Sequence, residues 1–92
     1  MTPFLHKVAL GLAHARAKHP AYNSAHEAYA IIKEELDEFW DLVKLQTSER
    51  DPELMLAELI HIAVTAARAA EDLGLIAPTY DVPFLFRLEQ EQ

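Results

Sequence analysis

The chain has 92 residues, enough for one domain with a modest core. Fifteen acidic against eight basic residues leave a net charge of −7, which excludes a surface built to attract nucleic-acid phosphates. Cysteine is absent, so there is no disulfide framework, no zinc–thiolate site and no cysteine nucleophile, and a cytoplasmic protein is expected.

Met1 to Lys7 lacks the basic start and apolar core of a signal peptide, and no apolar run is long enough to span a bilayer. A membrane partner is therefore not expected. Helical spacing recurs along the chain and no strand-like alternation is visible, so the fold class is all-α, one domain over residues 1–92.

Thr2 followed by Pro3 reads as a cap and first helical residue, and opens an N-terminal helix within residues 1–19. Its apolar positions are Phe4, Leu5, Val8, Leu12 and Ala15, and Pro20 ends it. Ser24 and Glu27 form a capping-box pattern at the start of a second helix, spanning 24–46 with its cap. Asp51-Pro52 starts a third, 52–73, with Gly74 placed to terminate it. Residues 75–92 hold Pro78 and Pro83 and read as an irregular tail, in which Phe84-Leu85-Phe86 is a candidate for docking on the core. The two long helices form an antiparallel hairpin to which the N-terminal helix is added.

On the second helix, advancing about 100° per residue, Ala28, Tyr29, Ile31, Ile32, Leu36, Phe39, Trp40, Leu42 and Val43 cover roughly half the circumference. Lys33, Glu34, Asp37, Asp41 and Lys44 fall on the solvent side. Glu35 falls inside the apolar arc and Glu38 at its edge, one turn apart, so their carboxylates can converge. The third helix is apolar around more than half its surface. Its narrow polar stripe carries Glu58, His61, Thr65, Arg68 and Asp72, read as the wet side of the helix. So wide an apolar face calls for more than one partner: the first helix, a second subunit, or both. Dimerisation into a four-helix bundle is the economical answer.

Carboxylates facing such an interior are costly unless a cation joins them. Several carboxylates without cysteine favour Mg²⁺ or Mn²⁺, and a histidine among them also admits iron. The plainer reading keeps Glu58 and His61 on a solvated stripe, pairs Arg68 with Asp72, and places Trp40 in the core and the other histidines on the surface.

The stretch Asn23 to Trp40, with Glu34-Glu35-x-x-Glu38 at its centre, resembles the first signature helix of MazG-like proteins, all-α nucleoside triphosphate pyrophosphohydrolases. Leu56 to Ala63 and Arg68 to Gly74 are similar to the second half of that family's pattern, and the resemblance covers about residues 20 to 74. It implies hydrolysis of a nucleoside triphosphate to the monophosphate and pyrophosphate, with Mg²⁺ or Mn²⁺, in a homodimer or dimer of dimers. Carried over by position, Glu35, Glu38 and Glu58 are metal ligands, and Glu34 is an outer ligand or orients water, so Glu34 and Glu38 are the catalytic candidates. Arg68, Lys33 and Trp40 are candidates for phosphate or substrate contact, with Lys44, Asn23 and His26 behind them.

The sequence departs from the family where its final Asp is His61. Imidazole suits Mg²⁺ poorly and removes a negative charge, so weakened catalysis is expected. Glu58-x-x-His61 also matches the helical di-iron motif of ferritin-like proteins, so an iron-binding dimer is one alternative and a non-catalytic helical binding module another.

Overall fold

The computed structural model describes residues 1–76 and holds three α-helices: α1 (Pro3–Lys18), α2 (Ala25–Val43) and α3 (Pro52–Asp72). A single 3-10 turn, Thr47–Glu49, lies between α2 and α3, and no strand occurs among the described residues. The expected tail, with Phe84 to Phe86, lies outside them.

Local chemistry sets the helix ends. Thr2 Oγ1 accepts the Leu5 N–H at 3.2 Å, and Ser24 Oγ accepts that of Glu27 at 3.1 Å. Glu27 returns the favour one residue early: its carboxylate accepts the Asn23 N–H at 3.4 Å and the Asn23 amide at 3.2 Å. Asp51 Oδ1 accepts from Glu53 and Leu54, ahead of Pro52 at the first helical position. Gly74 ends α3 with φ +68°. Its N–H reaches Glu71 O at 3.1 Å and the Leu75 N–H reaches Ala70 O at 2.9 Å, a Schellman closure.

α2 stops at Val43, three residues short of the expected Gln46. Arg50 explains the difference. Its guanidinium donates to Val43 O at 2.7 Å and to Leu45 O at 3.2 Å, satisfying carbonyls at the helix end from beyond the turn.

α3 is the central element. α2 lies antiparallel to it, pairing Tyr22 with Asp72, Ala28 with Ala69 and Glu35 with His61. α1 runs parallel to it: Gly11 meets Val64, Ala15 meets Arg68 and Arg16 meets Asp72. α1 and α2 both pack on α3 and not on each other. The wide apolar surface of α3 is thus shared between two helices, as the first of the expected arrangements has it.

The buried core is small. Tyr22, Ala28 and Ala69 form it, with Ile31, Ile32 and Leu73 packed around them, and Val64 is buried separately beneath α1. This places the best-packed region at the end where the α1–α2 connector meets the C-terminus of α3. At the other end Leu54, Leu56 and Leu59 stay exposed, and so do Tyr29, Leu36 and Trp40 on α2, three residues expected on its inner arc. α3 is too narrow to cover an arc that wide, and the outer edge of it faces away.

A Cβ on Gly11 would stand 3.0 Å from Val64 Cγ2, so the missing side chain lets α1 lie close on α3. Gly11→Leu is expected to lower stability by about 1–3 kcal/mol through overpacking, despite a gain of up to ~1 kcal/mol in helix propensity. Urea denaturation of both proteins measures the difference, and an unchanged midpoint would show that α1 does not dock at Gly11.

Candidate metal centre

Three side chains converge where α2 crosses the middle of α3. Glu35 comes from α2, and Glu58 and His61 are one turn apart on α3. His61 Nδ1 lies 3.5 Å from Glu35 Oε2 and 3.7 Å from Glu58 Oε2. One ligand atom from each residue lies within 4.8 Å of the other two. The two carboxylates are half-buried and His61 is exposed, so the group faces solvent on the imidazole side.

Glu35 Oε2 and Glu58 Oε2 are shielded from water and accept no hydrogen bond from the described residues. A buried acceptor left without a donor is costly, and more so when charged. Burial pushes the Glu35 carboxyl up to about 7, with Glu38 and Glu58 adding to the rise and His61 opposing it. Two orphaned oxygens and an imidazole form a donor set that suits a divalent cation with oxygen and nitrogen ligands, Mn²⁺ or Fe²⁺ before Mg²⁺.

The remaining residues expected at the site are placed as follows. Glu38 is exposed, next to Glu35, and raises its carboxyl by charge and hydrogen bonding, but it is not one of the converging three. Glu34 is exposed on the outer face of α2. Lys33 is exposed and bonded to Asp37 at 2.8 Å, Lys44 reaches Asp41 at 3.0 Å, and Trp40 is 56% exposed. Arg68 pairs with Asp72 at i, i+4, as the plainer reading has it, but it does not lie on a wet stripe: it is 3% exposed. Its Nη2 donates to His19 O at 3.1 Å and Pro20 O at 2.9 Å, and its Nη1 to Ala15 O at 3.4 Å. Asp72 and Thr65 leave the wet stripe too. Asp72 is a buried ion-pair partner, and the Thr65 hydroxyl bonds back to His61 O and Ile62 O, both at 3.0 Å. The stripe is wet only at His61, because α1 covers its C-terminal half.

Since α1 and α2 do not meet, a cleft of about 550 Å³ opens between them, floored by Ile60 and Val64 of α3. Glu35 and His61 line it, and so do His14 and His19 of the α1 side and Tyr22 of the connector. Its volume suits a small organic molecule. The residues that build it are far apart in the chain, and only the helix order brings them together. Gly11 and Tyr22, which line it, carry no local signal of this role.

Compared with protein families, with curated proteins and with solved structures, the chain finds no match.

The raised Glu35 carboxyl makes a testable statement about pH. A folded-state value of about 7 against an ordinary 4.5 means that the folded protein holds this proton more tightly than the unfolded chain does. The contribution to stability is complete below pH 4.5 and is lost as pH rises through 7. Without added metal, Glu35→Gln is therefore expected to equal wild type near pH 4.5 and to exceed it at pH 8. The gap should be about 1 kcal/mol after allowance for solvent screening. Thermal unfolding across that range measures it, and a constant difference would remove Glu35 from the buried cluster.

Proposed function

We propose that this protein is a metal-dependent nucleoside triphosphate pyrophosphohydrolase of the MazG-like kind, acting as a homodimer. The observation that carries this reading is the meeting of Glu35, Glu58 and His61 with two carboxylate oxygens lacking partners. Glu35 and Glu58 are two of the three positions that the resemblance assigns to metal ligands, His61 stands where the family has its final Asp, and the three come from two helices, α2 and α3.

Glu35, Glu58 and His61 hold the cation. Bound there, a divalent ion neutralises the triphosphate and makes a nucleophilic water available near neutral pH. Glu38 stands beside Glu35 at the solvent side and takes the water's proton or completes the ligand set. Glu34, one residue before Glu35, orients water from the outer face. Lys33 and Trp40 lie outside the cleft, so a contact with substrate from either belongs to the outer face of α2. The nucleoside portion takes the cleft between α1 and α2, which opens directly on Glu35 and His61.

Charge supports the need for metal. A chain of net charge −7 repels a triphosphate, and the cation reverses the sign at the point of contact. His61 in place of a carboxylate leaves the centre with less negative charge and moves its preference from Mg²⁺ toward Mn²⁺.

Dimerisation rests on the uncovered apolar surface. Tyr29, Leu36 and Trp40 repeat at helical spacing along one side of α2 and are 66%, 52% and 56% exposed. Leu56 and Leu59 of α3 are exposed as well. Two copies meeting there make a four-helix bundle and remove this surface from water.

One feature favours a second reading. Glu58-x-x-His61 with Glu35 from the facing helix is half of a helical di-iron centre, which two subunits complete. Such a protein oxidises Fe²⁺ with O₂ and leaves nucleotides intact.

Pyrophosphate release from a panel of nucleoside triphosphates, run in parallel with Mg²⁺ and Mn²⁺, separates the two. Turnover is expected with Mn²⁺ above Mg²⁺, falling at least about 100-fold in Glu58→Gln, a loss of the size that one transition-state charge partner carries. His61→Asp is expected to shift the preference back toward Mg²⁺. No turnover on any substrate, together with Fe²⁺ oxidation that is lost in His61→Ala, would establish the di-iron reading instead.

A further inference from the structure

We propose that Arg68 and Asp72 are positioning residues, which fix the α1 wall of the cleft by holding the end of α1 and the connector against α3. Arg68 shapes the cleft through backbone carbonyls and makes no contact with a ligand's phosphates. The inference rests on the cleft being the substrate site proposed above.

α1 needs such a device. None of its residues is buried, and among the described elements it packs on α3 alone. Its close approach at Gly11 is one point of attachment. The other is the ionic node at its C-terminal end. A helix ends with carbonyls that lack partners, at the negative end of its dipole. Arg68 brings a buried cation to that point from another helix and bonds Ala15 O, His19 O and Pro20 O. Its guanidinium lies over the Tyr22 ring, 5.0 Å from the centroid. Asp72 closes the node. Its Oδ2 accepts the Tyr22 N–H at 3.0 Å and lies 3.5 Å from Arg68 Nε, while Oδ1 accepts from Arg16 at 3.2 Å. Glu71 pairs with the other Nη of Arg16.

Three of the four N–H groups on the two Nη atoms are thereby aimed at carbonyls and not at the cleft that Arg68 lines. Redirecting Arg68 would take its donors from His19 O and Pro20 O and leave Asp72, whose side chain is 4% exposed, with Arg16 as its remaining cationic partner. Lysine cannot replace it: a single ammonium lacks the planar fork that spans three carbonyls and stacks on a ring. The node is thus specific to arginine, and the cleft's width depends on it because α1 has no contact with α2.

The experiment joins two readouts on wild type, Arg68→Lys and Asp72→Asn. Amide hydrogen exchange reports local opening of residues 6–19, and Mn²⁺-supported binding of a nucleoside monophosphate and the matching triphosphate reports the cleft. Both variants are expected to raise α1 exchange by about tenfold while the Ala28 and Ala69 region keeps its protection. Both should weaken the mono- and triphosphate by about the same factor, because the damage lies in the cleft wall. Unchanged α1 exchange in both variants overturns the proposal. So does a loss in Arg68→Lys that grows with phosphate chain length, since that marks a direct phosphate contact. If wild type binds neither nucleotide, the function proposed above fails, and the exchange result still decides whether the node holds α1.

Discussion

The arrangement of this domain depends on one buried ion pair. Arg68 and Asp72 lie one turn apart on α3, both almost wholly out of water. Between them they hold the end of α1 and the connector that follows. A buried pair of this kind gains little from mutual attraction alone, because both charges lose hydration. Here the remaining donors and acceptors are spent on backbone groups that would otherwise be orphaned at the end of α1, and on the Tyr22 N–H. The pair converts a helix terminus, two connector residues and a central helix into one rigid corner. The small apolar core of Tyr22, Ala28 and Ala69 sits beside it.

Beyond that corner α1 and α2 do not meet, and the cleft lies between them. α1 and α2 are anchored together at one end and to α3 along their lengths, yet they never touch. The gap ends at Glu35 and His61, where the second polar group of the fold lies. The two groups differ in a telling way. At Arg68 and Asp72 the charges are opposite, and the polar atoms other than Arg68 Nε are matched by hydrogen bonds. At Glu35 and Glu58 they are alike, and two oxygens are left without a donor. The first group is balanced in charge as built, whereas the second sets two carboxylates together with no donor on either orphaned oxygen. That contrast, within one small domain, is the physical ground for reading the second group as a binding centre.

Much of this was legible in the sequence. The caps Thr2, Ser24 and Asp51 and the terminator Gly74 are local signals, and the helices start and stop where they predict, to within a few residues. Glu35 was found by helical phase alone, because a carboxylate inside an apolar arc is visible one helix at a time. Glu58 and His61 share a turn, so their convergence was visible too. Arg68 pairs with Asp72, as their i, i+4 spacing suggests, but its burial leaves no sign in the sequence. Its other partners are carbonyls of Ala15, His19 and Pro20, some fifty positions away, and backbone carbonyls leave no trace in a side-chain pattern. The early end of α2 was missed on the same account, since Arg50 caps it through the carbonyls of Val43 and Leu45. Tyr29, Leu36 and Trp40 belong to the apolar arc as read, but an arc does not say which part a neighbour covers.

The central claim is that Glu35, Glu58 and His61 together hold a divalent cation, and Mn²⁺ binding followed by electron paramagnetic resonance tests it without reference to any substrate. The free-ion signal should fall when wild-type protein is added at pH 8, and recover its full strength when Glu35→Gln or Glu58→Gln replaces it. A signal that wild type leaves unchanged, or a loss that both variants reproduce, would contradict the account and return these three residues to the role of an unpartnered polar patch.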